Sequence, residues 1–468
     1  MENGCYKLSW RERIGFSSGD LAQNLIYQTV SIWLLFFYTN VYGLKPSVSA
    51  VMFLVVRIID VIWDPVVGAF IDKANPRWGK YRSWLIFAGI PLAAFAILCF
   101  WNGFSGSLLY AYVTYVGMSM CFTLINVPYS ALNSSLTRDT HEITVLTSVR
   151  MFMANLAGLI IKTLPLVIAI FAPKAYNADT GRMEAVYNIP ESAGAWFITM
   201  SIFALTGLAL LVWCFFESKE RIVMDAKDTE NVKVSDLWME LVRNRPLRVL
   251  SFFFIVAYTT MSISNAADSY FMTYNIGATP FMTTAFMWLG TIPAFIFLPL
   301  VPAIKKKIGK AGMFRLFLGI SVVGMILMYA VISVPALKSC FPLLCVVQFI
   351  KSAGVLVATG YMWALVPEVV TFGEYTTGRR VAAIVGSLIC IFMKAGMALG
   401  GVIPGLVLAW VGFDSASKIQ TPLAEQGILW LVTLIPAVLF VLAIFIIGKY
   451  ELSDERMDEI NMEIAKRR

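Results

Sequence analysis

Apolar residues run through this chain in stretches of about 20, broken by short polar turns. The stretches fall at about 13–41, 48–71, 83–102, 107–133, 147–172 and 194–216, then at 249–274, 281–304, 312–335, 340–367, 381–411 and 423–448. Each is long enough to cross the roughly 30 Å hydrocarbon layer of a bilayer as a helix. The pattern predicts an all-α integral membrane protein of twelve transmembrane helices in two six-helix halves. The expected organisation is an N-terminal half over 1–216, a solvated cytoplasmic linker over 217–248, a C-terminal half over 249–448 and a cytoplasmic tail over 449–468. Two six-span halves suggest a parallel repeat with the substrate site between them.

Charge placement orients the spans. With both termini inside, the inner loops and tails hold 27 of the 37 lysines and arginines, and the outer loops hold five: Lys45, Lys174, Arg182, Lys338 and Lys418. That is a strong positive-inside bias. The net charge of +8 is therefore a topology signal and calls for no nucleic acid or acidic partner. Composition agrees, with 59% hydrophobic and 14% charged residues against about 25% charged in soluble domains. Met1 to Arg13 is polar, so no cleavable leader is expected. One histidine, His141, and seven scattered cysteines offer no metal cluster, no catalytic triad and no membrane-embedded enzyme site.

Polar residues inside the spans carry the candidate chemistry. In the second span, Asp60 and Asp64 lie four apart, on one helix face, with Arg57 one turn earlier. Two stacked acids in lipid repel unless a cation or proton sits between them, which points to ion coupling. The first span carries Asp20, Gln23, Asn24, Gln28 and Ser31, a polar stripe suited to a cavity lining or to contacts between helices. In the fourth span Asn126 precedes Pro128, and in the fifth Arg150 offers a fork of donors to ligand oxygens or to a carboxylate. Lys394 in the eleventh span needs a buried anion; its approach to the acids of the other half would link conformation to cation loading. Asp268 in the seventh span is expected to line the cavity or cap it near the outer face. Lys162 and Lys351 are expected to snorkel, and Glu451–Arg468 to form a short solvated helix.

Four motifs then carry a resemblance. Asp60-x-x-x-Asp64-Pro65-x-x-Gly68, Arg77-Trp78-Gly79-Lys80-Tyr81-Arg82, Asn126-Val127-Pro128-Tyr129 and Gly373-Glu374-Tyr375-x-x-Gly378-Arg379-Arg380 resemble the glycoside–pentoside–hexuronide:cation symporters, which include the melibiose permeases. Gly68 to Arg82 also resembles the inner-loop signature of the major facilitator superfamily, with Lys305-Lys-Lys-Ile-Gly309-Lys310 at the corresponding place in the second half. The resemblance implies a major-facilitator fold and sugar–cation symport by alternating access.

Carried over by residue, the resemblance makes Asp60, Asp64 and Thr123 cation-binding. It makes Gln23, Asn24, Asn126, Arg150 and Lys394 substrate-binding, and Arg57, Asp60, Asp64 and Lys394 a charge network. Asp72, Arg82, Glu368 and Arg380 would form a cytoplasmic gate. Asn24 and Asn126 stand where melibiose permeases have sugar-binding aspartates, Gln23 where they have a lysine, and Ser130 where they have a tryptophan, which argues against an α-galactoside. Trp63 replaces an asparagine of sodium-using relatives. Indole offers sodium no oxygen, so a proton is favoured over Na⁺ as the coupling ion. No other cofactor is expected. The partners are a small sugar and the bilayer, the working unit a monomer, and the location the plasma (inner) membrane with both termini cytoplasmic. An uncoupled facilitator, a carrier of non-sugar solutes and a nontransporting sugar sensor are the competing readings.

Overall fold

The computed structural model describes residues 6–467, apart from 75, 138–139, 178–181, 222–233, 298–299, 378–381, 416 and 418–419. Eight of the described helices are long and apolar enough to span by themselves, and a ninth is a pair, Val145–Ile161 and Leu164–Phe171, bent by 41°. Three more complete the twelve of the major-facilitator fold. They are Trp10–Phe37, which carries the polar stripe, Pro46–Lys73, which carries Arg57, Asp60 and Asp64, and Trp84–Cys99, which is short.

The chain divides into two compact units. One comprises Met1–Glu230 with Thr279–Thr284 and Asp414–Lys418; the other comprises Asn231–Ala278, Ala285–Phe413 and Ile419–Arg468. In the first, the opening helix is set by a capping box: Ser9 Oγ accepts from Glu12 N–H, and Glu12 Oε2 accepts from Ser9 N–H. Its C-terminal end sits in a buried aromatic knot, where Trp196 stacks on Phe100 at 5.9 Å and packs against Trp33, Phe36 and Phe37. In the second unit, Leu247, Phe253, Phe254, Phe314, Phe317, Val357 and Phe440 belong to one continuous buried cluster.

A local repeat not noticed in the sequence relates the two units. Phe37-x-Thr39-x-x-x-Gly43-x-x-Pro46 matches Phe271-x-Thr273-x-x-x-Gly277-x-x-Pro280. At both places the span widens into a π-turn, Tyr38–Tyr42 and Phe271–Ile276, and stops at a glycine with φ of 89° and 66°. A proline then opens the next helix, where its missing N–H costs nothing.

Two expectations need correction, and a short hairpin is added to the helical pattern. The segment 217–248 is not simply a solvated linker: Val234–Arg243 is helical, Glu240 and Asn244 are buried, and Asn244 caps the seventh span while donating to the Val369 carbonyl. Between the fifth and sixth spans, Lys174–Asn177 and Arg182–Ala185 pair as an antiparallel hairpin. The tail helix Asp454–Arg467 is docked rather than solvated, burying Leu452, Met457 and Ile460 beside Phe372, Tyr375 and Tyr450. Mixed charges concealed that apolar face.

Asp454 ties the tail to Lys305 and Lys310 at 3.1 and 3.0 Å. Burial pushes its carboxyl up, but hydrogen bonds from Lys310 and Lys305 outweigh this and hold it below the ordinary value. A carboxyl whose folded pKa is depressed stabilises the docked state above the unfolded value, and the benefit is lost as pH falls through the folded one. Tail docking should thus be constant from about pH 7 to 5 and weaken below about 4. A spin label at Met462→Cys, with Cys340 and Cys390 made serine, should gain mobility only below that point. Asp454→Asn should be mobile throughout; equal mobility in the two proteins at neutral pH would dismiss the tether.

Candidate functional site

Two helices in the first half present matching ladders. Asp60 and Asp64 rise along the second span, and Ser119 and Thr123, also four apart, rise along the fourth. Ser119 Oγ donates to Asp60 Oδ1 at 2.5 Å, and Thr123 Oγ1 donates to Asp64 Oδ1 at 3.3 Å. The second oxygen of Asp60 meets Arg57 at 3.2 Å, and Arg57 also donates to the Tyr27 hydroxyl of the first span at 2.5 Å. The guanidinium lies 5.4 Å from the Tyr27 ring centre, and that ring stacks on Phe122 at 4.2 Å. Asp60 is therefore buried, hydrogen-bonded at both oxygens and paired with a cation of its own helix. Asp64 is less buried. Between them, the Trp63 indole N–H points away to the Met120 carbonyl at 3.3 Å.

Further along the fourth span, at Tyr129, the chemistry changes. Arg150 grips Asp20 with Nε and Nη2 at 2.6 and 3.2 Å, and the Tyr129 hydroxyl lies 2.7 Å from the same carboxylate. The guanidinium is also held over the Tyr129 and Phe16 rings, at 4.9 and 5.5 Å. This cluster joins the first, fourth and fifth spans. The polar stripe zips along its own helix: Asn24 Nδ2 donates to the Asp20 carbonyl, and Gln28 Nε2 donates to Asn24 Oδ1. Gln23 departs from the stripe, buried at 4% exposure with no hydrogen-bond partner for Oε1 among the described residues. Asn126 is exposed, and its carbonyl accepts from Ser130.

Known proteins share this arrangement of sequence. The profile of the family described as MFS/sugar transport protein matches residues 15–454. The uncharacterized symporter YnaJ of Bacillus subtilis (strain 168) is 42% identical over 466 residues, covering 98% of this chain and 96% of its own. The glucuronide carrier protein homolog of Escherichia coli (strain K12) is 31% identical over 467 residues, with coverages of 99% and 97%. The chain is a glycoside–pentoside–hexuronide:cation symporter family member.

As a member of this symporter family it is a multi-pass membrane transporter of the sugar-symport class, and not an enzyme. The crystal structure of the D-xylose-proton symporter shares its fold, with a TM-score of 0.61 at 14% identity, covering 95% of this chain and 98% of that one.

The expected gate residues of the symporter have other neighbours. Arg82 donates through Nε to the Trp78 carbonyl and stacks on Phe215 at 5.2 Å. Glu368 pairs with Lys310 at 2.7 Å and accepts from the Tyr450 hydroxyl. The Asp72 side chain and Arg380 lie outside the described residues. Lys394 is half-buried in the helix Ala382–Trp410.

The residue that organises the loop between the second and third spans was read as part of the solvated linker. Glu220 accepts from three successive backbone N–H groups, those of Lys80, Tyr81 and Arg82, at 2.9, 2.8 and 2.8 Å. Gly79, at φ 120°, makes the turn that aligns them, and a Cβ there would strike Glu220 Oε1. Around this clamp, Arg221 pairs with Glu12, Arg11 with Glu217 and Arg13 with Glu142.

The sequence reading also missed Ser119, Tyr27 and the ion pair of Asp268 with Lys351. Ser119 was detectable as the residue four before Thr123. Lys351 is not a snorkelling lysine: it is 3% exposed and sits at the middle of the helix Phe341–Tyr361.

Proposed function

We propose that the protein imports a glycoside, pentoside or hexuronide together with a proton, by alternating access. The observation that carries this reading is the paired ladder of Asp60/Asp64 and Ser119/Thr123. Arg57 supplies Asp60 with a permanent cation, and Trp63, between the acids in sequence, offers no oxygen and spends its indole N–H on the Met120 carbonyl. Sodium needs several oxygen ligands, whereas a proton needs one carboxylate and a neighbour to receive its hydrogen bond. Asp64, beside the Thr123 hydroxyl, is the proton carrier in this reading.

Asn24 and Asn126 supply amides to sugar hydroxyls, with Gln23, Arg150 and Lys394 completing the substrate set. Arg150 reaches substrate through the donors that it does not use on Asp20. The 31% identical glucuronide carrier homolog favours a sugar of the hexuronide type. Asp72, Arg82, Glu368 and Arg380 act at the cytoplasmic gate of a monomer in the inner membrane, and the basic loops favour both termini inside.

Purified protein in liposomes, offered radiolabelled methyl β-D-glucuronide and methyl β-D-xyloside, tests this directly. An inward acid gradient should drive accumulation without sodium. Uptake that requires a sodium gradient and ignores pH would reject the proton.

A further inference from the structure

The second half holds a buried polar cluster of its own. Asp268 of the seventh span lies 3.5 Å from Lys351 Nζ through Oδ1, and 3.5 Å from Gln348 Nε2 through Oδ2. Gln348 and Lys351 are 1% and 3% exposed, one turn apart on the tenth span. Phe286 of the eighth span closes one side, its ring centre 6.0 Å from the ammonium. The lysine cannot retreat. Gly324 packs against its backbone so closely that a Cβ would clash, and Ser321 Oγ donates to its carbonyl at 2.7 Å.

Gln348 Nε2 donates to Asp268 Oδ2 at the long limit of a hydrogen bond, while Asp268 Oδ1 and Lys351 are paired by charge alone. Among the described residues, Lys351 Nζ, Asp268 Oδ1 and Gln348 Oε1 are buried with no hydrogen-bond partner. A separation of 3.5 Å is too long for a charge-assisted N–H···O bond, which closes to about 2.8 Å. One strong donor and two acceptors, on three residues in contact, keep unused capacity at a place where unmet polar groups are costly.

We infer that Asp268, Gln348 and Lys351 form a subsite for a neutral hydroxyl group of the transported solute. A hydroxyl accepts from the lysine and donates to Gln348 Oε1 or Asp268 Oδ1, so it satisfies both kinds of atom at once. A carboxylate has no proton to give the acceptors and is repelled by Asp268. An ammonium group cannot accept, and Lys351 repels it. The cluster thus selects the hydroxyl-bearing part of a sugar, leaving any anionic group to be met elsewhere. This inference rests on the sugar-transport reading above.

The test is calorimetric titration of the purified full-length protein with methyl β-D-glucuronide, methyl β-D-xyloside and their monodeoxy analogues, in wild type and in Gln348→Leu. In wild type, removal of one particular hydroxyl should weaken Kd about tenfold. In Gln348→Leu the parent sugar should be weakened about as much, and the same deoxygenation should then cost little, the mark of a coupled pair in a double-mutant cycle. Should the leucine variant fail to fold, Gln348→Met and Lys351→Arg carry the same cycle. Wild-type affinity for every analogue in the variants would mean that the cluster holds an internal water only, and would overturn the subsite alone. A wild type that binds none of the sugars would overturn the sugar reading and the subsite with it.

Discussion

Asp64→Asn is expected to abolish uphill accumulation of sugar while leaving sugar binding within about tenfold of wild type. Asparagine keeps the size of the side chain and an oxygen for the Thr123 hydroxyl, but it cannot take up a proton near neutral pH. Without a titrating group the binding free energy of the coupling ion no longer biases the conformational equilibrium. Sugar then moves only down its own gradient. The two readouts are concentrative uptake under an acid-outside gradient and equilibrium exchange of labelled sugar. Loss of the first with retention of the second is the expected pattern; full concentrative uptake would end the assignment. Asp60→Asn should behave differently. It strips Arg57 of its carboxylate and leaves a nearly buried cation at mid-membrane, so folding should suffer as well as coupling.

The second large effect is structural. Arg150→Ala should destabilise the first half by about 3–5 kcal/mol, because it leaves the Asp20 carboxyl without its partner beside Tyr129. Removing both charges together, as Asp20→Asn with Arg150→Gln, should recover much of that loss. Thermal unfolding of the purified variants distinguishes the cases. A double variant no more stable than Arg150→Ala alone would mean that the arginine acts through its stacking on Tyr129 and Phe16 rather than through its charge. Arg150→Lys separates these further, since lysine keeps the charge but loses the planar fork.

Much of this molecule was legible in the sequence. Apolar periodicity marked the twelve spans, and intramembrane carboxylates four apart marked the Asp60–Asp64 face, because both signals depend on spacing within one helix. What escaped depended on neighbours that spacing cannot reveal. The Asp20–Arg150 pair joins residues 130 apart, so Arg150 read first as a ligand donor, with a structural ion pair as the alternative. Lys351 looked like an interface lysine until its depth and its glycine-lined neighbour were known. Glu220 sat in a run of mixed charge that resembled any solvated linker. The docked tail failed for a similar reason: Leu452, Met457 and Ile460 are too few to stand out among eighteen mostly polar residues.

The Glu220 clamp has a consequence for how the protein is made. Lys80, Tyr81 and Arg82 emerge with three backbone N–H groups aligned toward an acceptor that lies 138 to 140 residues further along the chain. At about 5–20 residues per second, the ribosome takes about 7–28 s to deliver it. Throughout that interval the second and third spans are inserted while the turn between them still depends on water for its hydrogen bonds. This end of the first half therefore closes late in synthesis, once the sixth span has been made and Glu220 and Arg221 have followed it.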